Sequence, residues 1–277
     1  MAIESGSGES GSGQSEPRGD RSSGTEGVQP TARVGVRTYA EAVFPLLYLS
    51  LEKNAALLET LADRLVDDVQ GGRKLLVFGS GHSALFPMEL YHRAGGASFV
   101  LPLVADYLLP SAGPSVVRVL ERTPSAALPL LDRFGARPGE MLWLSSQSGI
   151  NGASVELALE AKKRGIFTVA FTNVAHSRQV ASRHPSGQRL FEVCDACVDI
   201  GGVLGDALVP VPRKDLKVGP ASSLLTILLG HSVIVAAAAR LEEQGISCVY
   251  TSVNTPAGDS KNRELEKEAA ERDYLLR

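Results

Sequence analysis

The chain has 277 residues, 44% of them hydrophobic and 21% charged, which suits one α/β core of about 200–250 residues plus a tail. Its net charge is −3 with a pI near 6.0, and no dense Lys/Arg block builds the basic surface that nucleic-acid binding requires. A small polar molecule is the expected partner.

Residues 1–30 hold seven Gly and seven Ser with no aromatic residue. Such a segment cannot bury enough surface to offset its ordering entropy, so residues 1–35 are expected to be a disordered tail and 36–277 a single domain. Val43, Leu47, Leu51, Leu58, Leu61, Leu65 and Val69 then recur at helical spacing, which predicts a long helix ending at Gly71-Gly72, with Pro45 starting or kinking it. From there strands and helices alternate. Strands are expected over 74–78, 98–104, 141–144, 167–171 and 194–200, and helices over 84–94, 125–134 and 153–164. A long loop over 201–219 leads to an apolar helix over 221–244, then an irregular stretch and a charged helix over 262–276. Strand and helix in rotation predict a doubly wound parallel sheet flanked by helices, a three-layer α-β-α arrangement. The longest apolar run, 224–239, falls short of the ~20 residues that span a bilayer, so it reads as a buried helix and no membrane role is expected.

Cys194 and Cys197 stand as C-x-x-C, but inside an expected strand and without a second ligand pair for zinc. They read as ordinary buried thiols. With Cys248 they make three cysteines, and no charged-then-apolar leader precedes them, so the expected compartment is the reducing cytoplasm. No metal and no cofactor are expected.

Two strand-to-helix junctions stand out. The first is Gly79-Ser80-Gly81-His82-Ser83; the second is Ser145-Ser146-Gln147-Ser148-Gly149-Ile150-Asn151. Both are small, hydroxyl-rich and glycine-containing, and both open a helix. A helix N-terminus offers free N–H donors and partial positive charge, glycine lets the backbone approach, and serine adds donors without bulk. Such loops suit an anion, although Ser and Asn also serve as plain helix caps. Neither fits G-x-G-x-x-G or a P-loop, which argues against a dinucleotide or nucleoside triphosphate. The first junction leads to Glu89, His92 and Arg93, which helical spacing would put on one face. Glu89 reads either as a carboxylate within reach of a bound sugar or as half of an i,i+4 ion pair with Arg93. His231 interrupts an apolar helix, and His82 lies inside the first loop. His176 and His184 flank a polar connection and are weaker candidates.

These stretches resemble the sugar isomerase (SIS) domain proteins, specifically the single-domain bacterial ones related to phosphoheptose isomerase. The resemblance rests on 79–83, 89–96, 120–122, 146–151, 155–165, 183–187, 205–206, 219–223 and 252–254, taken in order. It implies a five-stranded parallel sheet, and homodimers or homotetramers with sites near subunit interfaces. It also implies that Ser146, Gln147, Ser148 and Asn151 bind the phosphate of a sugar phosphate, with Ser80, His82 and Ser83 contributing from the first loop. Asn151 stands where the family usually has threonine. Glu89 matches the family's catalytic glutamate, and His231 falls near its second catalytic residue. Related actinobacterial proteins dehydrate N-acetylglucosamine-6-phosphate, and others isomerise sugar phosphates or cleave N-acetylmuramic acid 6-phosphate ethers. The shared first step is removal of the C2 proton by a base, expected here to be Glu89 with its pKa raised by partial burial, assisted by His82, His92 or His231. The rival expectation is a module that senses phosphosugars without reacting them.

Overall fold

The computed structural model describes residues 34–212, 215–256 and 258–275. The expected tail, residues 1–35, lies almost wholly outside them. The folded unit opens with helix α1 (Thr38–Gln70), which runs through Pro45 without interruption. Then come β1 (Leu75–Gly79), a 3-10 turn (Gly81–Ala84), α2 (Leu85–Leu90), β2 (Val100–Leu103), α3 (Pro114–Leu120) and α4 (Pro129–Arg133). The chain continues through β3 (Met141–Ser145), α5 (Gly152–Lys163), β4 (Phe167–Thr172), α6 (Val174–Gln179), α7 (Leu190–Val193) and β5 (Ala196–Asp199). A hairpin of β6 (Ala207–Pro210) and β7 (Lys217–Pro220) precedes α8 (Ser222–Glu243) and α9 (Gly258–Glu271).

Strands β1 to β5 form one parallel sheet in the order β2-β1-β3-β4-β5. The expected five-stranded, doubly wound sheet is therefore present. Its strands are short and apolar because both faces are covered. Leu75, Val77, Met141 and Trp143 point into a core under α1 and α8. Their neighbours Leu76, Phe78, Leu142 and Leu144 point into the core under α5.

Three expectations are corrected. The helix expected over 84–94 is a 3-10 turn followed by six residues of α2, because Tyr91 is extended and His92 adopts a left-handed φ of 38°. Residues 201–219 are not a plain loop: they contain the β6–β7 antiparallel hairpin. Finally, α8 is 22 residues long, and by length and composition it could cross a membrane. Half of its apolar window is buried in the fold, where Leu225, Leu229, Val233 and Ala237 join the core beside α1.

The sheet fixes where a ligand can sit. From β1 the chain steps to β2 on one side and later to β3 on the other, so the strand order reverses between β1 and β3. Open α/β sheets bind ligands at such a point, beyond the carboxyl ends of the strands. Gly79 and Ser145, the last residues of β1 and β3, are register partners, so both serine-rich loops leave the sheet side by side.

Candidate functional site

Each loop is shaped by one glycine. A Cβ on Gly79 would lie 2.1 Å from the Ser83 carbonyl oxygen, so only glycine lets the first loop fold back onto the end of its strand. Gly149 sits at φ 62°, and a Cβ there would come within 2.7 Å of Thr172 Oγ1. The second loop thereby rests directly on β4. It is tightened by Gly149 N–H donating to Ser146 Oγ at 3.2 Å, which commits the Ser146 hydroxyl to the turn. Ser80 is also nearly buried, and its carbonyl accepts from Ser83 N–H at 3.1 Å.

Between the loops and the start of α8 lies a small cleft. His82 and Ser83 line it from the first loop, Ser145 and Gln147 from the second, and Phe86 from α2. The third wall is Ser222, Ser223 and Thr226 of α8. Both amide atoms of Gln147 are buried without a hydrogen-bond partner among the described residues. Buried polar groups are nearly always paired, so these two atoms are available to a water or a ligand.

Two helix N-termini face this region, and they differ in what they already hold. At α8 the Asp206 carboxylate accepts from Ala221 N–H (3.1 Å), Ser222 N–H (2.8 Å) and the Ser222 hydroxyl (2.7 Å). That end carries its own anion. At α5 the cap position is Asn151, whose side chain makes no capping bond and instead accepts from Arg183 Nη1 at 2.8 Å. The α5 start thus has no side-chain cap, and one of its N–H groups, that of Ala153, donates to the Glu121 carbonyl at 3.1 Å.

Glu89 lies on the last turn of α2, one turn beyond Phe86. Its carboxylate forms an ion pair with Arg93 and lies 3.6 Å from His231 Nε2 on α8. Both contacts use Oε1. Sequence spacing left Glu89 as either an ion-pair partner or a site carboxylate; the structure shows the ion pair and adds His231 to it. Glu89 and His231 are about one-third exposed, so both are reachable. Burial, and then the Arg93 charge, push the His231 pKa below its ordinary value and keep the imidazole neutral at neutral pH.

His92 is not brought to this group. Because α2 ends at Leu90, His92 leaves the helical face, places Nε2 2.9 Å from Glu266 of α9, and rests against the Tyr250 ring at 4.6 Å. His184 is likewise engaged elsewhere, with Nε2 2.5 Å from Glu156 of α5. His176 Nδ1 is buried without a partner among the described residues, and burial lowers its pKa. The thiol of Cys194 is pushed up by burial, and that of Cys197 is pushed up to about 12, so neither is a thiolate at neutral pH.

Sequence reasoning missed the α8 wall. Ser222 and Ser223 were visible only as a matching stretch, and Thr226 gave no signal, because nothing local says that a helix 75 residues after the second loop returns to it.

Comparison with known proteins gives consistent results. Residues 38–173 match the SIS domain family model. A UPF0309 protein of Shouchella clausii is 32% identical over 232 residues, covering 83% of this chain and 94% of its own length. A UPF0309 protein of Brucella canis is 33% identical over 225 residues, covering 81% and 92%. Among solved structures, a phosphoheptose isomerase from Francisella tularensis aligns with a TM-score of 0.45 at 12% identity, over 73% of this chain and 96% of that one.

Proposed function

The chain belongs to the UPF0309 family and carries an SIS domain, and from that premise we propose that it is an enzyme of sugar phosphates that removes the proton at C2. The observation that carries this reading is the contact of Glu89 with Arg93 and His231, one turn along α2 from Phe86, which lines the cleft between the two loops. Arg93 and His231 both meet Oε1 of Glu89, which leaves Oε2 for the substrate proton. The neutral His231 can carry a proton to or from the substrate oxygens without adding charge beside Arg93. His82, in the cleft, can assist ring opening.

The phosphate is assigned to the second loop, with Gln147, Ser148 and the α5 N-terminus as donors. Glu89 takes the C2 proton of the open-chain sugar and leaves an enediolate or its amino-sugar counterpart. Reprotonation at C1 gives the ketose, whereas departure of the C3 oxygen with a proton from a neighbouring acid gives an unsaturated sugar and water. One carboxylate serves both outcomes, so the reading covers isomerisation and dehydration alike.

The test is incubation in deuterated water with a panel of hexose, heptose and N-acetylhexosamine 6-phosphates, followed by proton NMR. Loss of the C2 proton signal with wild type, and its retention with Glu89→Gln, is the expected result. Binding without exchange in the wild type would make the protein a phosphosugar-sensing module instead.

A further inference from the structure

The second loop, Ser146–Asn151 in sequence, contains no cationic side chain, yet the ligand assigned to it carries up to two negative charges. The fold supplies positive charge from elsewhere. Arg183 N–H donates to the Ile150 carbonyl at 2.9 Å and Leu190 N–H to the Gly149 carbonyl at 2.8 Å, so the segment between them is laced along the loop. His184, 8% exposed, anchors that segment to α5 through Glu156 and holds Ser186 Oγ at 2.8 Å through Nδ1. Arg183 therefore stands on a fixed base. Its guanidinium is exposed and spends one donor on Asn151 Oδ1 at the start of α5.

A carboxyl on the opposite flank completes the arrangement. The Glu121 carbonyl accepts from Ala153 N–H in the first turn of α5 at 3.1 Å. Its side chain shares a hydrogen bond with Asn151 and would lie 3.3 Å from a Cβ on Gly81 of the first loop. Glu121 thus touches both loops. Arg122, Arg183 and Arg118 all act on its carboxyl. Burial prevails and raises the Glu121 pKa, while the three arginine charges pull it down.

We propose that Arg183 is a phosphate-binding residue of this site, with Arg122 and Arg118 adding positive potential nearby. The inference rests on the assignment of phosphate to the second loop. Arginine suits the role because its planar fork presents five N–H donors and matches phosphate oxygens two at a time. Only one Arg183 donor is engaged with the Asn151 side chain. The competing role is purely local: Arg183 props Asn151 and touches no ligand.

Calorimetric titration of the full chain with a hexose 6-phosphate, with inorganic phosphate and with the unphosphorylated hexose separates these roles. Arg183→Gln should weaken binding of the two phosphates by roughly tenfold to a hundredfold, as loss of a hydrogen bond to a charged group does. Affinity for the unphosphorylated hexose and the melting temperature should stay unchanged. Arg183→Lys should recover part of the loss, since it restores charge without the fork. Glu121→Gln should tighten phosphate binding and steepen its dependence on salt. Wild-type phosphate binding that Arg183→Gln leaves intact overturns the inference alone. Equal loss of hexose and hexose phosphate returns Arg183 to the role of a prop. A wild type that binds neither phosphate overturns the inference together with the functional reading beneath it.

Discussion

Two junctions of one sheet leave from paired residues, Gly79 and Ser145, with similar composition, and then diverge. The first runs through a 3-10 turn into six residues of α2 and stops at Leu90. The second runs into twelve residues of α5, with Lys162 and Lys163 in its last turn. A longer helix aligns more peptide dipoles and collects a fuller partial charge at its start, and cations at its end complement it. A helix that breaks early has little dipole, and its last turn carries Glu89 to His231 of α8. On the proposed reading, similar loops divide labour: one delivers a reactive carboxylate, the other a pole for an anion.

The largest effect should come from the first junction. Glu89→Gln keeps size and most hydrogen bonding but cannot accept the C2 proton, so turnover should fall by about two to four orders of magnitude. Affinity for the sugar phosphate should stay near native, and deuterium exchange at C2 should fall in step with turnover. Near-native exchange in the variant would remove Glu89 from the chemistry and erase the division of labour.

The second junction should answer in the opposite way. Ser148→Asp places a negative charge in the anion loop and should abolish sugar-phosphate binding by repulsion. Ser148→Ala should weaken it by about 0.5–1.5 kcal/mol if the lost bond is neutral, or about 1.5–3 if it meets the phosphate charge. Unchanged affinity in the Asp variant, measured by titration, would move the phosphate to another part of the cleft.

How much of this was legible beforehand follows from how local each feature is. The strands expected over 74–78 and 141–144, found at 75–79 and 141–145, are legible because apolar runs buried on both faces end in glycine or serine turns. The first loop's helix was read too long because periodicity continues through Glu89, His92 and Arg93, while the break at Tyr91 and His92 is a backbone event without a glycine or proline at the break. The β6–β7 hairpin hid because its four-residue strands hold Pro210, Gly219 and Pro220, residues that argue against a strand. The loops of the site were readable as composition. The groups that meet them across the fold, His231 on Glu89, Thr226 in the cleft, Arg183 and Glu121 on Asn151, are set by tertiary packing. No local pattern announces a partner 30 or 140 residues away.

A variant at Gly230 probes the packing of α8 against α2. Gly230 of α8 faces Phe86 so closely that a Cβ would lie 2.4 Å from the ring. Phe86 cannot retreat, because its ring is packed against Trp143 and Phe171 at 6.2 and 5.1 Å. Gly230→Ala should therefore destabilise by roughly 1–3 kcal/mol in denaturant unfolding, despite alanine's better helix propensity. A stabilised variant would mean that α8 and α2 sit further apart than this.

His231 should also leave a mark on acid stability. Its folded-state pKa lies below the ordinary 6.5, through burial first and Arg93 second. The unfolded chain then takes up the proton first as pH falls. The contribution is fully present above pH 6.5 and is lost as pH drops towards the folded-state value. His231→Asn should flatten that decline in melting temperature below pH 6.5; identical slopes in the two proteins would show that His231 titrates alike folded and unfolded.

The smallest effect separates the two histidines that sequence spacing could not. His92 sits three residues from Glu89 and would share its face if α2 continued, yet the helix ends at Leu90 and His92 pairs with Glu266 instead. Both partners of that pair are about 40% exposed. An ion pair in that setting contributes at most about 1 kcal/mol, because water screens it and two long side chains must be held still. His92→Gln should accordingly cost little stability and leave turnover and C2 exchange at wild-type levels, whereas His231→Asn should lower both. The paired measurement is steady-state turnover and exchange on the same substrate for the two variants. A fall of tenfold or more in His92→Gln would return His92 to the site and show that the break after Leu90 does not separate it from Glu89.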